Sequence, residues 1–99
     1  MAQTILTELK AIEVADLFST LSDASRVRII SALRDSEMSV GVLAHKLGMS
    51  ASAVSHQLRG MRQMRLIRGR KQGRQVFYCL NDNHVELLFR MGLDHVQHR

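Results

Sequence analysis

The stretch SVGVLAHKLGMSASAVSHQLRGMRQMR, residues 39–65, has the pattern of two helices joined by a tight turn. Ser39 is suited to cap a short first helix, and Gly48 is suited to the left-handed conformation that ends one. Ser50 or Ser52 can begin a second helix that runs to about the end of the stretch. Its apolar residues recur every three or four positions, at Val54, Leu58, Met61 and Met64. The stretch therefore predicts a helix-turn-helix.

Two further helices are predicted on the amino-terminal side. Apolar residues recur at helical spacing from about Leu6 to Leu21. Ser22 or Asp23 can then cap a helix that ends at about Leu33. The residues of this second helix expected to be buried are Val27, Ile29, Ile30 and Leu33.

On the carboxyl-terminal side the apolar period changes from 3.6 to 2. Residues 66–70 and 75–80 are predicted to be two strands of a hairpin, in which Gly73 can take a positive φ. A last helix begins at about Asp82, whose side chain could be its N-cap. The order predicts a mainly α fold with a β-hairpin, the winged helix-turn-helix. We expect one domain over residues 1–99, with dimerisation helices at both ends.

Composition narrows the class of partner. The 99 residues have a formal net charge of +5, a balance typical of proteins that bind nucleic acid. No apolar run is long enough to span a membrane and no signal peptide is recognisable, so a cytoplasmic protein with no membrane partner is expected. Cys79, the only cysteine, excludes an internal disulfide, and we expect it to be a small buried residue on a strand.

The second helix of the pair is the one expected to enter the major groove of double-stranded DNA, with its first turns nearest the base edges. Serine and glutamine can bond base edges, and serine hydroxyls can also hold phosphates. The residues expected to contact DNA from this helix are Ser50, Ser52, Ser55, His56, Gln57 and Arg59. Each serine taken singly could equally be a helix cap, so the prediction depends on the set.

Basic residues cluster in the hairpin, where Arg70, Lys71 and Arg74 lie within five positions. A charge run of this kind is often only a solvated turn. Beside a DNA-reading helix, we interpret it as a wing that contacts phosphates or the minor groove. Few aromatic residues accompany it, which disfavours stacking on single-stranded RNA.

The last helix carries a candidate metal site made of Asp82, His84, His95 and His98. Imidazole and carboxylate ligands suit a divalent transition metal. Eleven residues at ~1.5 Å each separate His84 from His95 by roughly 16 Å, while two ligands of one tetrahedral ion lie ~4 Å apart. One chain therefore cannot close the site. An antiparallel second copy would place the first pair opposite the second, giving two equivalent sites across a homodimer.

Two other functions compete with a metal-responsive regulator. Catalytic zinc keeps an open position for water, which four protein ligands would fill, and no other catalytic pattern is visible, so an enzyme is not expected. A constitutive winged helix-turn-helix DNA-binding protein remains an alternative. In that case the histidine cluster is structural or binds no metal.

Four segments together resemble the ArsR/SmtB family of metal-sensing repressors, over nearly the whole chain from Leu17 onward. They are LSDASRVRI at 21–29, SVGVLA at 39–44, SASAVSHQLR at 50–59 and RKQGR at 70–74. The resemblance implies a homodimeric winged helix-turn-helix that binds operator DNA when metal-free and releases it when metal binds.

The resemblance also implies which metal site this chain carries. The family's thiolate site needs cysteine where Ser39 or Gly41 stands and an acidic residue where Val42 stands, which argues against sensing of arsenic, cadmium or lead. The extra amino-terminal ligands of nickel sensors are a poor match. The family's site on the carboxyl-terminal helix needs an aspartate, two histidines and a final histidine or glutamate, all present here. Zn(II) or Co(II) is therefore the implied effector.

Overall fold

The computed structural model describes residues 4–98, so both end positions of the predicted domain, 1–99, lie outside the described range. Its elements are α1 (Glu8–Leu21), α2 (Ala24–Leu33), β1 (Met38–Ser39), α3 (Val40–Leu47), α4 (Ala51–Gln63), β2 (Ile67–Gln72), β3 (Gln75–Leu80) and α5 (Asn83–Gln97). The order is that of a winged helix-turn-helix, as predicted. Among residues 4–98, no helix is long and apolar enough to cross a bilayer.

The helix ends follow the capping residues. Four residues stand directly before a helix and accept hydrogen bonds from backbone N–H groups in its first turn through a side-chain hydroxyl or carboxylate oxygen. These N–H groups would otherwise lack a partner. These N-caps are Asp23, Ser39, Ser50 and Asp82. Gly48 ends α3 at φ 65° and ψ 33°, the left-handed conformation expected of it. The turn between the two helices of the DNA-binding pair is therefore fixed by local chemistry.

Two features of the structure were not predicted, one in the sheet and one at the end of α4. Met38 and Ser39 form a short third strand, β1, that pairs antiparallel with β3 at Tyr78 and Phe77. A two-residue strand has no period to recognise in a sequence. In addition α4 stops at Gln63, short of the predicted end, because Arg65 adopts φ 58° and turns the chain into β2. Arginine at positive φ is uncommon and gives no sequence signal.

The core lies where α2, α3 and α4 meet the sheet. Its fully buried residues come from all four of these parts. They include Ile29, Ile30, Leu43, Val54, Leu58, Met61, Leu66 and Ile67. The prediction that Val27 belongs to this core was wrong: its side chain is 37% exposed because it faces α5 across an open apolar groove. Cys79 on β3 is half-buried, and its sulfur accepts a hydrogen bond from Arg68 Nε at 3.4 Å.

Gly69 lets β2 pass close to a core aromatic ring. A Cβ at this position would lie 3.0 Å from Val76 Cγ1 and 3.1 Å from Tyr78 Cε1. We expect Gly69→Ala to lower the free energy of unfolding by about 1–3 kcal/mol, because one of these neighbours must shift. Gly41→Ala is the matched control, since no atom lies within 4 Å of its added Cβ on α3. Urea unfolding should show that control unchanged or more stable by up to about 1 kcal/mol. Equal effects would refute the close-packing argument.

Candidate DNA interface and metal centre

The first turns of α4 present a polar surface. Ser50 is the N-cap, and its hydroxyl accepts the Ala53 N–H at 3.0 Å. Ser52, Ser55 and His56 are exposed on the following turns. The structure thus gives Ser50 a capping role and leaves the other three side chains on the outer face of the helix. An exposed helix end with unburied hydroxyl and imidazole groups has the dimensions and chemistry to meet a major groove.

Gln57 lies on a different face of α4 from these residues. It is three positions after Val54 and four before Met61, both fully buried, so its side chain is directed toward α2 and is half-buried. Its Oε1 accepts a hydrogen bond from Arg26 Nε at 2.8 Å. The predicted grouping of Gln57 with the outward-facing serines is therefore not what the structure shows, because helical geometry places it beside the core stripe.

A groove of about 460 Å³ separates α4 from the sheet. Its lining includes Ser55, Arg59, Arg62 and Tyr78, with both arginines exposed on one side of the helix. Arg62 was not among the predicted DNA contacts. Its spacing of three residues from Arg59 is the signal that could have identified it, since residues three apart share a helix face. The groove is open and carries two exposed arginines, which suits a phosphate backbone.

The basic residues of the wing fall into two groups. Lys71 and Arg74 are exposed at the tip of the hairpin, next to Gly73 at φ 64°. Arg70 instead forms an ion pair with Glu37, with Nε 2.9 Å from Oε2, and stacks on Phe77 at 5.2 Å from the ring centroid. The hydrogen bond from Arg70 lowers the pKa of Glu37. Arg70 thus ties the wing to the segment before β1, a contact that the sequence did not indicate.

Asp82 and His84 stand together at the start of α5. Asp82 Oδ1 accepts the N–H groups of His84 at 2.9 Å and Val85 at 3.2 Å, and lies 3.6 Å from His84 Nδ1. Partial burial by itself would raise the pKa of Asp82, but these hydrogen bonds and one from Asn81 outweigh it and lower the pKa. The carboxylate is therefore held ionised. Three hydrogen bonds leave it acceptor capacity, and the His84 side chain is 89% exposed.

His95 and His98 lie at the other end of α5, where both are exposed. His98 is the C-cap: its N–H donates to the Asp94 carbonyl oxygen at 3.0 Å, and its Nδ1 lies 2.8 Å from the same oxygen. This contact engages Nδ1 of His98 and not Nε2. Within residues 4–98 of one chain, no three His, Cys, Asp or Glu residues come together in a metal-binding group. The two pairs of candidate ligands are thus separated by the length of the helix.

The outer faces of α1 and α5 carry a large apolar surface. None of the α1 side chains is buried, and the large apolar residues Leu9, Ile12 and Phe18 are 50–70% exposed. On α5, Met91 and Val96 are 67% and 54% exposed. An apolar groove lies alongside, lined by residues of α2 and α5 such as Val27, Ile30, Leu88, Phe89, Leu93 and Val96. Apolar side chains exposed in this number on two helices are typical of an interaction site in a small protein.

The fold, the exposed start of α4 and the basic wing define a DNA-binding winged helix-turn-helix regulator. Residues 23–68 match the family model for bacterial regulatory proteins of the arsR family. This match and the relatives described next show that the chain belongs to that family, which confirms the resemblance to the ArsR/SmtB repressors found in the sequence. Members are transcription regulators and not enzymes.

Individual relatives agree with this assignment. The chain is 49% identical over 88 residues to a transcriptional repressor SmtB homolog of Synechocystis sp., covering 89% of this chain and 67% of that protein. It is 40% identical over 88 residues to the regulator NmtR of Mycobacterium tuberculosis, covering 89% of this chain and 73% of NmtR. The solution structure of apo-NmtR superposes with a TM-score of 0.82 at 37% identity, over 99% of this chain and 82% of the other.

Proposed function

We propose that two copies of this chain form a metal-responsive repressor. The metal-free homodimer binds operator DNA, and it releases the DNA when Zn(II) or Co(II) binds at two sites shared between the subunits. The observation that supports this most is the placement of two ligand pairs at opposite ends of one helix, α5, beside an uncovered apolar face. Family membership makes DNA binding the activity that the metal would control.

The apolar faces of α1 and α5 are the proposed dimer interface. A small domain has a modest core and gains stability from a partner that covers exposed apolar surface. In a two-fold dimer both copies use the same surface, so a contact made by one subunit is repeated by the other. Leu9, Ile12 and Phe18 of one α1 can fill the partner's groove between α2 and α5, and the partner's α1 can fill the first groove. The two α5 helices can then run antiparallel to each other.

The donor set fits a zinc or cobalt ion. Asp82 is held as an ionised carboxylate, and the imidazoles of His84, His95 and His98 are exposed, so all four can bind without breaking the core. Oxygen and imidazole nitrogen are ligands that Zn(II) takes in tetrahedral sites. When bound, the ion would cross-link the terminal helices of two subunits. Asp82 would orient the first turn of α5 through the His84 and Val85 N–H groups that it already accepts.

Mixed dimers test whether the ligands come from both subunits. His84→Ala and His95→Ala chains each lose both shared sites as homodimers. In a dimer with one chain of each kind, an intact His84 faces an intact His95 in one site, while the other site loses both. We therefore expect zinc titration of the mixed dimer, purified with two affinity tags, to recover one tight site per dimer. Each homodimer should recover none.

The control is a mixed dimer of His84→Ala with His84→Ala/His95→Ala, in which neither shared site is complete. Recovery of zinc binding there would contradict the proposed site, because both chains lack His84 and zinc would be binding without the full set of ligands. Failure of the first mixed dimer to recover a site would contradict the shared arrangement in the same way. Unsubstituted protein carried through the same tag purification provides the reference stoichiometry of two sites.

For DNA, we propose that Ser50 at the N-cap of α4 and Ser52, Ser55, His56 and Arg59 on the helix face the major groove, and that Lys71 and Arg74 of the wing meet phosphates. Gln57 and Arg70 already form hydrogen bonds with other residues of the same chain, and Arg62 joins Arg59 in the groove between α4 and the sheet. The outward placement of the serines and His56 supports this arrangement, since base edges are read by short polar groups at the start of a helix.

Lys71→Ala and Arg74→Ala should each weaken binding to every DNA sequence to a similar extent. Each loses one phosphate contact, so the slope of log affinity against log salt concentration should fall by about 0.9 per subunit contact. Fluorescence anisotropy on specific and random duplexes at several salt concentrations measures this. Lys10→Ala, a charge loss on α1 away from the wing, serves as the control. A selective loss on the specific duplex would instead assign the wing a base-reading role.

One observation favours the second candidate, a constitutive DNA-binding protein. Asp82 already has a structural role as the N-cap of α5, and His98 already caps its other end. In that case zinc would leave DNA affinity unchanged, and the terminal histidines would contribute only to the helix. The two candidates differ in one measurable quantity, the ratio of DNA affinities with and without metal.

A further inference from the structure

One arginine joins three helices through a single guanidinium group. Arg26 on α2 donates from Nη1 to the carbonyl oxygen of Thr20 on α1 at 3.1 Å. It also donates from Nε to Gln57 Oε1 on α4 at 2.8 Å. Its own N–H is held by the Asp23 carboxylate at 3.0 Å, so the residue that makes both contacts is itself fixed at the start of α2.

The guanidinium also lies close to the backbone of α4 at Gly60. A Cβ added at Gly60 would meet Arg26 Nη2 at 3.6 Å, an ordinary van der Waals distance. Arg26 and Gln57 are both half-buried, whereas the arginines of the wing are exposed. Hydrogen bonds in which the donor is charged are about twice as strong as neutral ones, and partial burial limits their screening by salt.

This contact matters because α1 is otherwise weakly attached. None of its side chains is fully buried, only Leu17 and Leu21 at its end pack against the core, and the rest of its apolar surface faces outward. The recognition helix α4, by contrast, is packed into the core through Val54, Leu58 and Met61. Arg26 therefore connects the end of α1 to the second turn of α4 through two hydrogen bonds. These hydrogen bonds fix the angle between the loosely held outer helix and the DNA-reading helix.

We propose that Arg26 and Gln57 are positioning residues that set the separation of the two recognition helices in the dimer. This inference rests on the proposed function, because α1 belongs to the proposed dimer interface. Two α4 helices read two half-sites only when their separation matches about one turn of DNA. The orientation of α4 relative to α1 is thus a determinant of half-site spacing, and Gln57 acts through Arg26 and not on a base.

The test uses duplexes that the unsubstituted chain enriches from a randomised library, rebuilt with the half-sites one base pair closer or farther apart. Arg26→Met and Gln57→Met keep a long unbranched side chain but remove the hydrogen bond between Arg26 and Gln57. Each should weaken binding at the selected separation by about tenfold, the loss expected for a hydrogen bond to a charged group. Each variant should also show a smaller preference for the selected half-site separation over the neighbouring ones. The double variant should bind DNA no more weakly than the weaker-binding single variant, because both substitutions remove the same hydrogen bond.

Arg28→Met is the matched control. Arg28 also lies on α2 and donates to a helix carbonyl, that of Leu47 at 3.2 Å, but does not contact α4 through Gln57. It should keep the spacing preference. Ser55→Ala, a proposed base contact, should lower affinity yet keep the preferred separation. Thermal melting of each variant establishes that it folds. If Arg26→Met does not fold, Arg26→Lys replaces it, because a single ammonium cannot bond both acceptors in the same geometry.

Three results would overturn the inference. They are an unchanged spacing preference in both bond-breaking variants, additive losses in the double variant, and a new base preference at one position in Gln57→Met, which would make Gln57 a base reader. The proposed function is tested separately by the unsubstituted chain. If that chain enriches no duplex, or if zinc does not release the duplex, DNA binding or metal control fails whatever the spacing results show.

Discussion

His84→Ala is expected to abolish the release of DNA by zinc while leaving metal-free binding nearly unchanged. The imidazole is 89% exposed at the start of α5, so its loss removes one proposed ligand without opening a cavity. It is also on a different element from α4 and the wing, which carry the proposed DNA contacts. If zinc weakens DNA binding by a hundredfold in the unsubstituted dimer, that factor should fall to about one, a loss of about 2.7 kcal/mol of coupling.

Anisotropy titrations of a selected duplex, with and without one zinc equivalent per subunit, measure this factor. His45→Ala is the control, because His45 is an exposed histidine on α3 that belongs to neither proposed site. It should keep the full zinc effect. Loss of metal-free DNA binding in His84→Ala would indicate that the terminal histidines support the fold. Retention of the full zinc effect would remove His84 from the metal site.

DNA is expected to weaken zinc binding by the same factor by which zinc weakens DNA binding. This reciprocity follows from thermodynamic linkage between two sites on one molecule. The physical reason for a coupling here is that a metal bridging the two α5 helices favours one arrangement of the subunits, while DNA favours the arrangement that matches its half-sites. A hundredfold effect in one direction requires about 2.7 kcal/mol in the other.

Competition with a zinc-chelating dye, performed on the free dimer and on the dimer saturated with a selected duplex, gives the two zinc affinities. Random duplex of equal length controls for the charge of the DNA. Equal zinc affinities in all three states would contradict the metal-responsive repressor. The constitutive DNA-binding protein would then be the function supported by the fold.

The DNA-binding pair of helices could be predicted from the sequence because its signals are local. Ser39, Gly48 and Ser50 act on the backbone within three or four residues, and the structure places them as caps. The hairpin was predicted for the same reason, with Gly73 at positive φ between two strands of alternating residues. Family membership then followed from the whole pattern and was confirmed by the comparisons.

Other assignments depended on which elements pack together. Val27 has the helical spacing of a core residue, yet it faces the open groove beside α5. Arg70 looks like any basic residue of the wing, yet Glu37 lies within hydrogen-bonding distance across the sheet. Strand β1 exists only because β3 offers it an edge. None of these partners is adjacent in sequence, so no local pattern could indicate them.

The sequence by itself therefore determined the helices, the caps Ser39 and Gly48, the hairpin and the residue types at the two ends of α5, because periodicity and capping act over a few residues. Only the tertiary structure decided that Gln57 binds Arg26 and faces away from the proposed DNA surface. It also decided that Arg70 is already paired and that α1 is left with its apolar side uncovered. Hydrogen bonds between side chains 31 or 33 positions apart form only after the helices and the sheet have packed, and that packing fixes which polar groups remain free to bind.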